Sequence, residues 1–273
     1  MKVRCLVDNA VLAGSRLWGE HGLAFLLETA DGSVLFDTGQ SGTVLLHNLE
    51  VAGVDPARIS AVALSHAHHD HTGGLSALLP KVRRVRLYAH PDLFRERFSR
   101  RETQVKSIGL TMTREELQER TELCLAREPQ EILPGVFTSG EIVSRAEAEG
   151  SSEHHFVLEQ GRLVADHYRD DMSLVLRVQQ GLVVLCGCCH AGLLNTLHEV
   201  SSAFKQPILA VAGGTHLVQL TDEQVRHIVH VLGGYGTPRL YPNHCTGQAA
   251  YVALAVALGE RVAPCVAGTE LVF

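Results

Sequence analysis

Histidines and a carboxylate crowd the stretch Ser65-His66-Ala67-His68-His69-Asp70-His71, which runs on into Thr72-Gly73-Gly74-Leu75. His66 and His68 alternate, so at the end of a strand their imidazoles project to one side and can close on a single ion. Asp70 and His71 follow where the chain must already be bending, so they can face a second ion beside the first. Neutral imidazoles with one carboxylate suit zinc, and also manganese, iron or nickel. The bland alternative is a polar turn that merely carries histidines; ligand spacing plus an acid in so short a stretch argues against it. A metal held by imidazoles lowers the pKa of bound water from about 16 to near 7, which makes hydroxide available at neutral pH. The expectation is one to two ions per chain.

Such a cluster needs elements to hold it. The apolar run Ile59 to Leu64 reads as the strand that delivers it, and Gly73-Gly74 as a sharp turn into a helix. Upstream, Val3 to Val7 reads as a strand. Leu23–Leu27 and Val34–Phe36 form a hairpin around Asp31-Gly32, and Ser41 or Thr43 caps a helix ended by Gly53. Downstream come a strand at Val85–Ala89 and hairpins around Gln160-Gly161 and Gln179-Gln180-Gly181. Leu193, Leu197, Val200 and Phe204 mark one face of a helix. Thr221 with Gln224 caps another, and a last helix runs to Gly259. Further strand ends carry His190, His216 and His244, with glycines beside His190 and His216. Hairpin-rich strands followed by strand–helix units, twice over, predict an αββα sandwich: an α/β fold of two mixed sheets with outer helices.

One stretch breaks this style. Asp92 to Glu128 is charged and reads as two helices, the second opened by the capping box Thr113-Arg114-Glu115-Glu116. We expect a single domain over residues 1–273 with this stretch, about 92–128, as an insertion or cap. Its basic residues Arg95, Arg97, Arg100, Arg101 and Lys106 form either a solvated helical face or a reach toward an anionic substrate.

Composition limits the function classes. The chain has 273 residues, a formal charge of −6 and 16 histidines. Without a basic excess it does not read as a general nucleic-acid binder. No apolar run approaches a bilayer's span, and Met1 to Val11 lacks the marks of a signal peptide. Seven cysteines is an odd count, and Cys186, Cys188 and Cys189 crowd one turn, unlike a disulfide framework. A reduced, cytoplasmic protein is expected; a homo-oligomer is compatible with the sequence.

These residues together resemble the metallo-β-lactamase fold superfamily, whose His-x-His-x-Asp-His hallmark is met by His66, His68, Asp70 and His71. Asp8-Asn9, Glu20-His21-Gly22, Phe36 to Gln40, Gly187 to Gly192, Gly213 to Leu217 and His244 to Gly247 resemble one subgroup. It contains the archaeal 7,8-dihydropterin-6-methyl-4-(β-D-ribofuranosyl)aminobenzene 5′-phosphate synthase. The resemblance implies His66 and His68 as ligands of a first metal, and Asp70, His71 and His244 as ligands of a second. His190 is assigned as the remaining histidine. Where well-known members place a histidine before one strand and a bridging aspartate after it, this chain has Asp170-Asp171 and Gly187-Cys188. Asp171 or Cys188 is therefore the rival to His190. Asp70 is the catalytic carboxylate, and His216 is a donor to substrate or oxyanion, or a support for a ligand. The expected activity is hydrolysis of a small anionic ester, lactone or phosphoester. The alternative is a synthase that joins a pterin-like ring to an aminobenzene ribotide. A metal store without turnover would not need Asp70.

Overall fold

The computed structural model describes residues 1–236 and 238–273. Two large mixed sheets lie face to face. One runs Glu270–Val272, Lys2–Val7, Ala24–Thr29, Gly32–Phe36, Ala61–Ala63, Val85–Ala89, Thr121–Leu125, antiparallel through Gly32–Phe36 and parallel beyond it. The other runs Arg239–Asn243, Ile208–Gly214, Gly181–Cys186, Ser173–Val178, Val136–Thr138, Glu131–Leu133, parallel across its first three strands and antiparallel across the rest.

Side-chain alternation makes the layers. In Ala24–Thr29, Phe25 and Leu27 turn into the core between the sheets, while Ala24 and Leu26 turn outward beneath Leu45, Leu49 and Leu78 of covering helices. In Gly181–Cys186, Val183 and Leu185 face the inter-sheet core. Leu182, Val184 and Cys186 face Leu197, Val200, Ile228 and Leu232 of the helices Leu193–Phe204 and Asp222–Gly234. Strands buried on both faces read as continuous apolar runs, as these do. This is the αββα sandwich expected.

The charged stretch departs from expectation. Its second helix exists, Arg114–Arg120, with Thr113 and Glu116 closing the capping box. The first does not: Arg97–Arg101 and Gln104–Ser107 form a hairpin. With His155–Glu159 and Arg162–Ala165 they build a third sheet of four strands. Thr121–Leu125 belongs to no cap, for it pairs parallel with Val85–Ala89 and forms an edge of the large sheet. The hairpin's main partner strand lies far along the chain, so local charge density concealed a strand pattern. Glu131–Leu133, Val136–Thr138 and Glu270–Val272 are short strands that sequence reading also passed over.

The glycine pair works differently from the turn expected of it. Gly73 and Gly74 have ordinary helical backbones (φ −66° and −75°). They are glycines because a Cβ would lie 2.1 Å from the Gln40 carbonyl oxygen and 2.2 Å from that of Thr38.

Candidate metal centre

His66 and His68 follow the end of Ala61–Ala63, His68 in extended backbone. Asp70 and His71 then sit in a single helical turn, His69–Thr72. His190 and Cys188 follow the end of Gly181–Cys186 in the opposing sheet. His216 follows Ile208–Gly214, and His244 follows Arg239–Asn243. The strand ends of both sheets therefore meet in one cleft.

The first cluster is His66, His68 and His190, whose ligand nitrogens all lie within 4.8 Å of one another. All three side chains are buried, and the Nε2 atom of each has no hydrogen-bond partner. A buried polar atom left unpaired costs free energy, and three converging on one point ask for a shared partner. Two of the other nitrogens are spoken for: His66 Nδ1 lies 2.8 Å from Ser65 Oγ, and His190 Nδ1 donates to the Gly150 carbonyl at 2.8 Å. These contacts leave the Nε2 lone pairs of His66 and His190 facing inward, as a cation requires. Burial holds all three imidazoles well below the usual histidine pKa, and neighbouring imidazoles add to the effect at His66 and His190. They are neutral and ready to ligate.

The second cluster is built from Asp70, His71, His244, Cys188, Cys245 and His21. Asp70 Oδ2 lies 3.2 Å from His21 Nε2, 3.3 Å from His244 Nε2 and 3.7 Å from His71 Nε2. His71 Nε2 also sits 3.2 Å from His244 Nε2 and 3.2 Å from Cys188 Sγ. Two further sets of ligand atoms, His66-His71-Cys188 and Cys188-His244-Cys245, close within 4.8 Å. Cys188 thus stands between the clusters. Burial disfavours charge on His71, yet the Asp37 and Asp70 carboxylates outweigh it and push the imidazole up to about 9. Asp70 is held well below its usual range: burial opposes ionisation, but His71, His21 and His244 overcome it. Without metal this cluster satisfies itself as an ion pair, and His71 would have to give up its proton to serve as a ligand. The donors fit a second ion, with imidazole, carboxylate and thiolate all available.

His216 lines the same cleft, with its ring centroid 4.4 Å from that of His190. Burial, aided by His155 and His244, lowers its pKa to about 4, and its Nδ1 is unpartnered. It belongs to none of the ligand sets. Asp171 does not either, among the described residues. Its Oδ2 accepts the Ala191 amide at 2.8 Å, while Asp170 Oδ2 accepts the Ala67 amide at 2.8 Å. These adjacent carboxylates fasten the two loops that carry the first cluster. Buried Arg97 braces Asp170, bonding it at 2.5 Å and Asp166 at 2.8 Å.

Sequence reasoning missed what several residues do at this site. Asp37 accepts from His71 Nδ1 at 2.7 Å and from the Ser65 amide and hydroxyl, so it aims both clusters. Gly187 lets Ser65 approach: a Cβ there would lie 2.1 Å from Ser65 Oγ. Asn9 and Asp8 hold His244 through its Nδ1 (3.0 Å) and its amide (2.9 Å). Tyr168 stacks on His190 at 4.1 Å between centroids, and His155 packs edge-on against His68 at 5.1 Å. Strain gathers here as well. Asp37, Tyr168, Cys189, His216 and His244 all take positive φ, between 46° and 60°. Non-glycine residues adopt that region only when their surroundings insist. The Asp37-Thr38-Gly39 and Asp8-Asn9 motifs were visible signals, but nothing local told what they would touch.

Residues 17–161, more than half of the chain, match the model of the metallo-β-lactamase superfamily. The chain is 29% identical over 258 residues to a 7,8-dihydropterin-6-methyl-4-(β-D-ribofuranosyl)-aminobenzene-5′-phosphate synthase of Methanocaldococcus jannaschii, covering 90% of this chain and 88% of that one. Among solved structures, Tm1679, a metal-dependent hydrolase of the β-lactamase superfamily, superimposes with a TM-score of 0.85 at 28% identity, over 100% of this chain and 99% of that one. The metallo-β-lactamase fold protein YhfI from Bacillus subtilis, at 14% identity and a TM-score of 0.61 over 99% of both chains, shares the fold.

Proposed function

The chain belongs to the metallo-β-lactamase superfamily, and from that premise we propose that it is a metal-dependent enzyme of the synthase type. It would join or transfer groups on a small anionic substrate of the pterin or aminobenzene-ribotide class. The observation that carries this is Cys188: a thiol, not the aspartate that the resemblance leads one to expect, stands between the two clusters. Asp70 is the sole carboxylate in the ligand sets of the described residues, and it sits at one end of them. With no carboxylate in the middle to orient an attacking water, the donors suit polarising a bound substrate. The near full-length likeness to a synthase points the same way.

His66, His68 and His190 would hold one ion; Asp70, His71 and His244, with Cys188 at the boundary, would hold a second. Zinc fits this donor set best, with manganese, iron or nickel as substitutes. When bound, the metal supplies a Lewis acid that draws charge from a ligating oxygen. The rest is done by the chain. His216, neutral and facing the cleft, donates to or accepts from the reacting group through its free nitrogen. His21, His69 and His155 line the cleft beside Ile108, and their rings offer stacking faces that the scarcity of Phe, Tyr and Trp did not foretell.

Hydrolysis of a small anionic ester, lactone or phosphoester is the second reading, favoured by the likeness to Tm1679 and by Asp70. One experiment separates the two. Metal-loaded protein is incubated with an activated hydroxymethyl-dihydropterin and a ribofuranosylaminobenzene 5′-phosphate, and in parallel with an ester, lactone and phosphoester panel. A joined product detected by mass, absent in Asp70→Asn, supports synthesis. Turnover confined to the panel supports hydrolysis instead.

A further inference from the structure

The four-stranded sheet leans over the cleft, and its register decides which side chains look in. His155 is opposite Ser99, and Ser99 is opposite Lys106. Directly opposed residues share a face, so these three form one row across three strands, with Arg101 two positions from Ser99 on the same face. Arg97, on that face as well, plunges to Asp166 and Asp170. Phe98, Arg100 and Phe156 occupy the other face, with the Arg100 guanidinium 4.3 Å above the Phe156 ring. His155 and Ser99 line the cleft with His68 and His190. The hairpin is pinned there because the His69 amide donates to the Ile108 carbonyl at 2.9 Å.

The row is made of donors. Tyr168 Oη accepts the Ser152 amide and lies 2.8 Å from His155 Nδ1. With the Ser152 amide already donating to Oη, the Tyr168 hydroxyl hydrogen is free to go to His155 Nδ1. With Nδ1 engaged by the phenol, His155 offers Nε2–H as its donor. Neither Arg101 nor Lys106 forms an ion pair with a carboxylate among the described residues.

We propose that this row is the subsite for a terminal phosphate monoester of the substrate, with His155 and Ser99 as hydrogen-bond donors and Lys106 and Arg101 as charged anchors. Two strand spacings, about 10 Å, separate His155, beside the first cluster, from Lys106, so a phosphate held along the row stands off from the reacting end. A sugar phosphate on an aromatic ring has that reach; a bare lactone does not. The inference rests on reading the cleft as the substrate site, but not on which bond is made or broken there.

The test is phosphate binding without turnover. Parent and Arg101→Gln/Lys106→Gln proteins, equally loaded with metal, are titrated with phenyl phosphate and with uncharged benzyl alcohol. Equal loading cancels any phosphate contact with the metal itself. The double variant should bind phenyl phosphate at least tenfold more weakly, with its metal content and benzyl alcohol binding unchanged. Arg114→Gln, whose guanidinium stacks on Phe94 elsewhere on the surface, should match the parent. Equal phenyl phosphate affinity in the parent and the double variant would overturn the subsite, as would no binding by the parent. Neither outcome would touch the synthase reading, which is judged by its own product.

Discussion

The two ligand clusters share a cleft but differ in how they stand without metal. His66, His68 and His190 point three bare Nε2 atoms at one another and have nothing else to do. Asp70, His71, His244 and His21 already bond among themselves. The first cluster is preorganised and under cost when empty; the second is self-satisfied and must surrender a proton and an ion pair to take an ion. Affinity follows from that difference, so the first centre should fill at lower free metal than the second.

Variants can break the comparison in graded steps. His66→Ala with His68→Ala should abolish binding at the first centre, and elemental analysis equal to the parent would remove the cluster from consideration. His190→Ala comes next. Loss of a true ligand should exceed the 10–100-fold typical of a lost supporting contact and leave the first centre largely empty at micromolar free metal. Retention of metal by that variant would reduce His190 to a hydrogen-bonding neighbour.

Asp70→Asn should spare the first centre and the fold, because it is nearly isosteric, while activity falls to a small fraction of the parent. Turnover within a few-fold of the parent would exclude Asp70 from the chemistry. Asp171→Ala, which frees the Ala191 amide, should weaken first-centre affinity by about 10–100-fold and leave the second centre alone. Equal losses at both centres would show that the two are not independent.

The smallest effect is on pH. In the metal-free chain, His216 and His244 sit at about 4, below the unfolded value near 6.5. The unfolded chain therefore takes up their protons first, and stability falls as pH drops from about 6.5 toward 4. His71, raised to about 9, has the opposite sign: its contribution is complete below about 6.5 and is lost as pH rises through 9. Thermal melts of metal-free protein should decline on both sides. Metal loading should abolish the alkaline decline, because a ligating His71 is already neutral. An alkaline decline that persists unchanged in loaded protein would show that His71 is not a ligand.

How much of this could be read in the chain follows from sequence distance. His66 to His71 speak for themselves, since strand alternation and one helical turn place them locally. His190, His216 and His244 were legible because each follows an apolar strand. Asp37, Tyr168 and His155 were not, since each matters only through a contact with a residue far along the chain. The hairpin Arg97–Ser107 was misread for the same reason. Its charged residues resemble a helix surface until the pairing with His155–Glu159 reveals their alternation. Asp171 was noticed as a rival ligand, and the structure shows it, like Asp170 beside it, gripping a backbone amide instead.

His66 and His68 come from one sheet of the sandwich and His190 from the other. An ion held by all three is a rivet between the layers. Its binding free energy would oppose any motion that parts them, and only the closed sandwich can collect it. Chelation should then loosen the molecule along one seam. Amides of Ala61–Ala63 and Gly181–Cys186 would exchange with solvent deuterium faster, while the outer helices keep their protection. A protein assembled from two halves in this way would report its own closure by whether it can hold metal.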